Sequence, residues 1–337
     1  TVGIGTAADA LPAQPGSSAS ASVAFTPGEG LDASTYDADS FRVTNTGDVA
    51  VTSVTVDTRT ALFPDIVYDP AGTAGDLVAR GVVVDPGSDD VGVGSTADAD
   101  VYGDPHDGDA DDGYDTVTLT FDDFEPGETV EFGADNDPTS IKGVSAPGPN
   151  DTGSVAGLEM VGSTVTVEFA DGTTRTVEPF AGDSPGEATG DADADDPAAP
   201  TLGVEGVSLS ATELSPAHTA ATVPDADRTV TVSGPADATV RLLVVRAGLY
   251  TDGVPDGGYD LDEYEANKAL SRTVETVTLG SDGTATVDLT LSRAGDAGDL
   301  TYLVAGVADG EEVGPLSNKV VLEYDPDGGP APTPNSP

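Results

Sequence analysis

Apolar and polar residues alternate along many short segments of this chain. In residues 116–121 and 284–291 every second residue is apolar, so an extended segment would bury one face and expose the other. Similar segments recur throughout the chain and are separated by residues that favour turns, mainly Gly, Pro, Asn and Asp. The pattern predicts an all-β protein.

The predicted strands form two groups of about seven, a number typical of a β-sandwich. The first group is expected at 19–25, 40–44, 49–57, 115–121, 129–132, 163–169 and 173–178. The second group is expected at 204–209, 229–233, 239–246, 272–279, 284–291, 301–308 and 318–324. Asp171-Gly172 and Asp282-Gly283 predict hairpin turns, because Gly adopts positive φ readily. A short helix is predicted at 261–270.

A segment without bulky apolar residues separates the two groups. Residues 181–200 consist largely of Pro, Gly, Ala and Asp. We therefore expect two tandem β-sandwich domains, Ig-like or jelly-roll-like, at 19–180 and 201–325, joined by an acidic linker at 181–200. Residues 1–18 are expected to be an N-terminal segment, and 326–337 an extended Pro-rich tail.

Charge indicates the environment in which the protein works. The 337 residues include 61 acidic and 12 basic side chains, for a net charge of -49. Self-repulsion of this size destabilises a compact state at ordinary salt, whereas molar salt shortens the Debye length to about 3 Å. High charge with few aromatic residues can also indicate disorder, but the acid is concentrated between the predicted strands. The composition predicts a halophilic protein.

The same composition excludes several classes of partner and chemistry. Basic residues form no cluster, which argues against binding to nucleic acid or to an anionic membrane. The chain has no Cys, which excludes disulfides, thiol catalysis and Cys-ligated zinc. No apolar run reaches the roughly 18 to 20 residues of a membrane span. Because numbering begins at Thr1, we expect a mature exported chain.

Several stretches resemble known surface proteins. The segment FRVTNTGDVAVTSVTV (41–56) is similar to the strand, Asn-Thr-Gly turn, strand units of archaeal and bacterial surface proteins and biofilm fibre subunits. Residues 63–76 and 137–159 resemble segments of haloarchaeal secreted cell-surface proteins that also carry malectin-like sugar-binding or Ig-like modules. The runs 302–307 and 314–322 resemble the last hairpin of fibronectin type III and related Ig-like domains, although the buried Trp is missing. The resemblance implies a cell-surface location and no reaction.

Two acidic loops are candidate calcium sites. Asp107, Asp109, Asp111 and Asp115 occupy positions 1, 3, 5 and 9 of a calcium loop, where alternate residues can direct oxygens at one cation. The loop departs from the EF-hand pattern, because its Gly comes one place late and Thr118 replaces the last Glu. A second loop contributes Asp256, Asp260 and Asp262. The alternative interpretation of both loops, and of residues 191–196, is a solvated acidic segment.

Other chemistry-bearing residues are few. Asn150 begins the sequon Asn150-Asp151-Thr152, which predicts N-glycosylation in a loop. The two histidines, His106 and His218, lie in loop-like sequence close to Pro, and neither is near a convincing Ser nucleophile. A Gly-x-Ser-x-Gly elbow and phosphate-binding glycine loops are absent from the sequence. We therefore expect no enzymatic activity.

The least charged stretch lies at the N-terminus, where Val2, Ile4 and Leu11 are predicted to contact another subunit as a donor strand. Together these features predict a non-enzymatic extracellular structural protein of a halophilic archaeon. It would be a cell-surface or pilus-like filament subunit that self-associates by strand addition. The alternative is a carbohydrate-binding or adhesive module in which Tyr68, Tyr102 and Tyr114 stack on glycans; these tyrosines could equally be core residues.

Overall fold

The computed structural model describes residues 18–30, 34–63, 65–139, 142, 155–192, 198–207, 220–247, 270–291, 300–310 and 312–326. Within these ranges the chain forms several sheets that are almost entirely antiparallel, and the predicted all-β class is confirmed. Described helical elements are short. They are α1 (Asp98–Val101) and three 3₁₀ turns at Thr58–Thr60, His106–Gly108 and Ala110–Asp112.

The first half of the chain forms two sheets that enclose a shared core. Its strands are β1 (Ala21–Phe25), β2 (Phe41–Asn45), β3 (Val51–Asp57), β4 (Ile66–Tyr68), β5 (Val83–Val84), β6 (Tyr102–Pro105), β7 (Tyr114–Phe124), β8 (Thr129–Gly133), β9 (Asn136–Pro138), β10 (Thr164–Phe169), β11 (Thr174–Val177), β12 (Phe180–Ala181) and β13 (Ala188–Ala192). The strand orders are β12-β13-β1-β2-β8-β5 and β11-β10-β3-β7-β4-β9, with β6 on β7. Alternate residues face the core, where the paired Phe41 and Phe132 stack with ring centroids 4.9 Å apart.

The second half forms two further sheets. Its strands are β14 (Thr201–Val204), β15 (Ala221–Val223), β16 (Asp227–Ser233), β17 (Thr239–Ala247), β18 (Leu270–Thr278), β19 (Thr284–Thr290), β20 (Leu300–Asp309), β21 (Glu312–Leu316) and β22 (Val320–Tyr324). The orders are β14-β16-β19 and β15-β22-β20-β17-β18, with β21 on β20. Val232, Leu242 and Leu303 are among the buried residues that join these sheets.

The two predicted hairpins have different outcomes. Gly172, at φ 84°, turns β10 into β11, and these strands pair as predicted. The hairpin predicted at Asp282-Gly283 is wrong, because β18 and β19 belong to different sheets. Gly283 does turn the chain at φ 74°, but β19 pairs with β16, placing Val287 opposite Val230. A Gly-containing turn specifies a reversal of the chain and leaves the choice of partner strand to the core.

The predicted linker also differs from the structure. Residues 188–192 of the predicted 181–200 linker form β13, which pairs with both β1 and β12. Ala188, Gly190 and Ala192 are buried at alternate positions. A Cβ on Gly190 would overlap the side chain of Val177, which ends β11. Only a small residue therefore fits where β13 packs against β11. A strand built from such small residues carries no bulky apolar signal. The predicted strand at 204–209 also shifts, because β14 ends at Val204.

Side chains from the two halves pack together. The largest hydrophobic cluster contains Phe63 and Val161 from the first half together with Tyr302 and Leu316 from the second. The rings of Phe63 and Tyr302 lie 4.6 Å apart between centroids. The halves therefore share buried apolar surface, whose removal from water stabilises the contact.

Candidate functional site: a buried carboxylate cluster

Three aspartates lie on one face of the short ladder formed by β4 and β9. In this antiparallel pair Val67 is opposite Asp137, and Tyr68 is opposite Asn136. The pairing continues by one residue, because the Asp69 N–H donates to the Asp135 carbonyl at 3.0 Å. Side chains alternate between the faces of a ladder. Asp69, Asp135 and Asp137 therefore share one face.

The loop that follows β4 adds a fourth aspartate. The Asp69 carboxylate accepts hydrogen bonds from the N–H groups of Thr73, Ala74 and Gly75 at 2.8 to 2.9 Å, which folds the loop back on itself. The next N–H, of Asp76, donates to Asp137 Oδ2 at 3.2 Å. We call Asp69, Asp76, Asp135 and Asp137 the carboxylate cluster.

Glycine allows this loop to approach the ladder closely. A Cβ on Gly75 would overlap the side chain of Asp137. The main chain at Gly75 thus occupies space that any larger residue would need. The loop closes over the acidic face, and the four cluster residues are between 0% and 1% exposed.

Burial of like charges strongly raises the pKa values of two residues of this cluster. Burial raises the pKa of the Asp135 carboxyl to about 8, and the negative charges of Asp76 and Asp69 add to the effect. Burial likewise raises the pKa of Asp137 well above its ordinary value, with contributions from the other three carboxylates. Asp135 Oδ2 and Asp137 Oδ1 are buried and have no hydrogen-bond partner.

Arg80 supplies a counter-charge at the edge of the cluster. Its positive charge and a hydrogen bond from its main chain lower the pKa of Asp135, in opposition to burial. The guanidinium Cζ lies 3.9 Å from the centroid of the Tyr36 ring, an arrangement that holds the side chain in place. Arg80 acts in this way on Asp135, and a single positive charge cannot balance four carboxylates, so the fully ionised cluster carries excess negative charge.

The cluster is not a preassembled metal cage. Among the residues that the structure describes, no group of three or more Asp, Glu, His or Cys side chains is arranged to hold a metal ion. The cluster is a set of like charges inside the protein, with unpaired oxygens on two of its members. Such groups either share protons or take up a cation from solvent.

The calcium loop predicted from spacing, residues 107–115, is more exposed to solvent than the carboxylate cluster. The Asp107 side chain is 70% exposed, and Asp109 Oδ1 accepts the N–H of Asp111 at 3.1 Å. Asp115 Oδ1 lies 2.8 Å from His106 Nδ1, and this hydrogen bond raises the pKa of the imidazole. The four predicted ligands thus make local contacts or face solvent. They form no metal-holding group within the described ranges.

Several predicted site residues lie outside the described residues: Asp256, Asp260 and Asp262 of the second acidic loop, Asn150 of the sequon, Val2, Ile4 and Leu11 of the N-terminal segment, and His218. The helix predicted at 261–270 also lies there, except for Leu270, which begins β18. These remain predictions.

The tyrosines considered for sugar stacking pack against one another. Tyr68 is fully buried and Tyr102 is 8% exposed. The Tyr102 ring lies 5.9 Å from that of Tyr68 and 5.7 Å from that of Tyr114, between centroids. Two of the three rings therefore belong to the core.

Sequence reasoning missed the carboxylate cluster. Its members are separated by up to 68 positions and show no ligand spacing. The available signal was an aspartate directly after the apolar run Ile66-Val67-Tyr68, and another pair flanking Asn136. Asp76 ends, and Asp137 begins, the two stretches that resemble haloarchaeal surface proteins.

Comparison with known proteins adds no relative. No protein-family model matches the chain, and no curated protein is significantly similar to it. Among the described residues, no helix is long and apolar enough to cross a membrane.

Proposed function

We propose that this chain is a non-enzymatic structural protein of the cell surface of a halophilic archaeon, built as two tandem Ig-like or jelly-roll-like β-sandwiches. It would act outside the cell as a surface or filament subunit that self-associates. The observation that best supports this proposal is the buried junction between the two halves, centred on Lys319.

Lys319 carries a charge into the junction. It is 9% exposed, and its Nζ donates to the Gly162 carbonyl at 2.8 Å. Burial lowers the pKa of Lys319 to about 8, while the charge of Glu178 opposes that shift. Gly162 has φ 75°, and a Cβ there would overlap the end of the lysine. The absence of a side chain at Gly162 thus leaves room in the first half for the end of Lys319 from the second.

A second polar contact crosses the same junction. Glu178 Oε2 accepts the N–H of Leu316 at 3.2 Å, and burial raises the pKa of this carboxyl. Small or polar interfaces allow neighbouring domains to move, whereas buried apolar contacts with matched hydrogen bonds restrain them. A restrained junction suits a subunit that must transmit force along a surface layer or filament.

The second half also offers an edge for strand addition. The strand order β15-β22-β20-β17-β18 beside β14-β16-β19 supports an Ig-like sandwich. The nine residues of β18 pair with β17 on one side, and no described strand pairs with the other side. An open edge of this length can accept a strand from a neighbouring subunit. We propose the N-terminal segment, residues 1–18, as the donor.

The test is electron microscopy of the purified chain in molar salt. We expect filaments or a two-dimensional layer from the full chain and folded monomers after deletion of residues 1–12. Deletion of the tail at 327–337 is the matched control and should leave assembly intact. Single particles from the full chain would contradict the subunit role, and polymers of unchanged length after the first deletion would contradict strand addition.

The carbohydrate-binding alternative depends on aromatic rings that can reach a sugar. Tyr68 and Tyr102 are buried in the core, so their rings offer little exposed surface on which a glycan could stack. A described groove of about 310 Å³ lies between the halves and is lined by Thr164, Glu178, Asp191 and Gly314 among others. Glu178 is already engaged there by Leu316. Nothing at this groove favours glycan binding over the structural role.

A further inference from the structure

We propose that the carboxylate cluster is an internal calcium site, in which Asp135 Oδ2 and Asp137 Oδ1 bind the ion and Asp69 and Asp76 supply additional negative charge. This inference is independent of the proposed structural role. It concerns residues distant in the sequence from both acidic loops in which calcium spacing was predicted.

Asp135 directly precedes β9 and Asp137 lies within it, so the two side chains, two residues apart, project to the same face of the ladder. Each has one oxygen that is buried and unpartnered. The hydrogen bond from Asp76 to Asp137 Oδ2 holds that carboxylate and leaves Oδ1 unpaired. Two carboxylate oxygens without hydrogen-bond partners are thus available on the same face inside the protein.

A buried carboxylate loses its hydration, and an uncompensated buried charge is strongly destabilising. Here four carboxylates interact with one another, and the surrounding protein offers Arg80 as a counter-charge. A bound cation would compensate both the lost hydration and the mutual repulsion. The arrangement is therefore better explained by a ligand than by packing.

The donor set identifies the chemical class of that ligand. Carboxylate and carbonyl oxygens are hard ligands that suit calcium and magnesium. Magnesium requires nearly ideal octahedral geometry and gives up its water reluctantly, whereas calcium accepts six to eight oxygens in flexible arrangements. Two carboxylates on one face of a ladder impose no octahedral arrangement, so the more flexible ion fits better. A divalent charge also compensates more of the cluster than sodium or potassium does.

The test is calcium titration of the full chain in molar potassium chloride, by calorimetry and thermal unfolding. We expect one calcium per chain at the cluster and a rise in the unfolding temperature that magnesium at equal concentration does not reproduce. Asp137→Asn keeps an oxygen for the Asp76 N–H and should weaken calcium binding at least about 100-fold. Asp109→Asn, in the exposed loop, is the matched control and should bind as wild type does.

Measurements on Asp137→Asn without calcium also show whether the substitution impairs folding. Without calcium, Asp137→Asn removes a carboxyl that folding must bury either charged or with an added proton, so the variant should unfold at a temperature no lower than that of wild type. Absence of calcium binding by wild type would overturn the proposal and leave shared protons as the explanation. Equal stabilisation by magnesium, or calcium binding that survives Asp137→Asn and is lost in Asp109→Asn, would also overturn it.

Discussion

Two acidic regions of this protein are close neighbours, yet their carboxylates have opposite surroundings. The exposed loop, residues 106–113, ends at Gly113, where a Cβ would overlap Val67 and Ala74 beside the carboxylate cluster. In the loop, acids face water or a cation: Asp112 Oδ1 lies 2.6 Å from Lys142 Nζ. In the cluster, four acids are withdrawn from water, and burial followed by the charges of the other three carboxylates raises the pKa of Asp137.

The contrast indicates that burial, rather than spacing, determines where a carboxylate needs a compensating partner. In an acid-rich chain, calcium-like spacing arises easily, and solvent stabilises such a loop without any ion. A buried carboxylate without a partner is costly, because Coulomb repulsion in the interior is several-fold stronger than in water. The buried carboxylates of the cluster therefore need a proton or a positive charge to compensate for lost hydration, whereas the carboxylates of the solvated loop do not.

If burial is what perturbs a charge, a buried cation must show the corresponding effect, and this is the largest change that we expect. The pKa of Lys319 is about 8 when folded and 10.5 in its ordinary state. The unfolded chain then binds more protons between these values, so stability rises with pH across that range by ~3 kcal/mol. Lys319→Met should remove this rise.

The measurement for Lys319 is chemical denaturation at constant molar salt between pH 8 and the onset of tyrosine titration near pH 10. Lys142→Met is the matched control, because the Lys142 side chain is 48% exposed. Its pH dependence should follow that of wild type. Parallel curves for wild type and Lys319→Met would show that burial does not perturb this charge.

The second prediction concerns the close approach of the loop to the cluster. Gly75→Val would force the main chain away from Asp137 and should lower the free energy of unfolding by about 2 to 3 kcal/mol. Gly203→Val is the control, since no atom lies within 4 Å of a Cβ there. It should change stability by about 0.5 kcal/mol or less. Denaturant titration of both variants decides, and equal losses would refute the close approach.

The third prediction compares one acid from each region in the presence of a chelator. Asp137→Asn should raise the free energy of unfolding by about 1 kcal/mol, because folding of the wild type must bury this carboxyl either charged or with an added proton, and Asn avoids that cost. Asp109→Asn should change it by less than about 0.5 kcal/mol, because Asn replaces Asp well at the start of a helical turn. Denaturant titration without divalent ions checks both, and a larger effect in the loop would reverse the comparison.

The smallest effect is expected at His106. Its hydrogen bond to Asp115 raises the folded pKa above the ordinary 6.5. Stabilisation is therefore fully present below pH 6.5 and is lost as pH rises through the higher folded pKa. His106→Gln should cost less than about 1 kcal/mol below pH 6.5 and nothing in the alkaline range. Denaturation curves of wild type and His106→Gln, below pH 6.5 and in the alkaline range, test this. A free-energy cost that does not change with pH would contradict it.

Alternation along the chain predicted most of the long strands because their buried residues are large. Val54 and Val56 of β3, or Leu242 and Val244 of β17, carry the period-two signal within one segment. In β13 the buried positions have the same period of two, but they are Ala and Gly, which are too small to give a recognisable apolar pattern in the sequence. Pairing between segments was harder to predict: the turn at Gly283 reverses the chain, but the core selects β16 as the partner of β19.

The candidate site could not be predicted from local pattern. Asp69 and Asp135 face each other through a ladder that joins segments 66 residues apart, and Asp76 reaches Asp137 only because Gly75 lacks a side chain. In a chain with 61 acids, four aspartates carry no distinctive spacing. The acids that the sequence does highlight, at 107–115, are conspicuous because they are clustered in an exposed loop.

We propose that calcium binds in the buried region and not in the exposed loop. The most direct measurement is an anomalous difference map from a crystal of the full chain grown in calcium-containing molar salt. We predict a peak within bonding distance of Asp135 Oδ2 and Asp137 Oδ1, about 2.3 to 2.6 Å away. A map with no peak there, or with its only protein-bound peak at residues 107–115, would contradict the account.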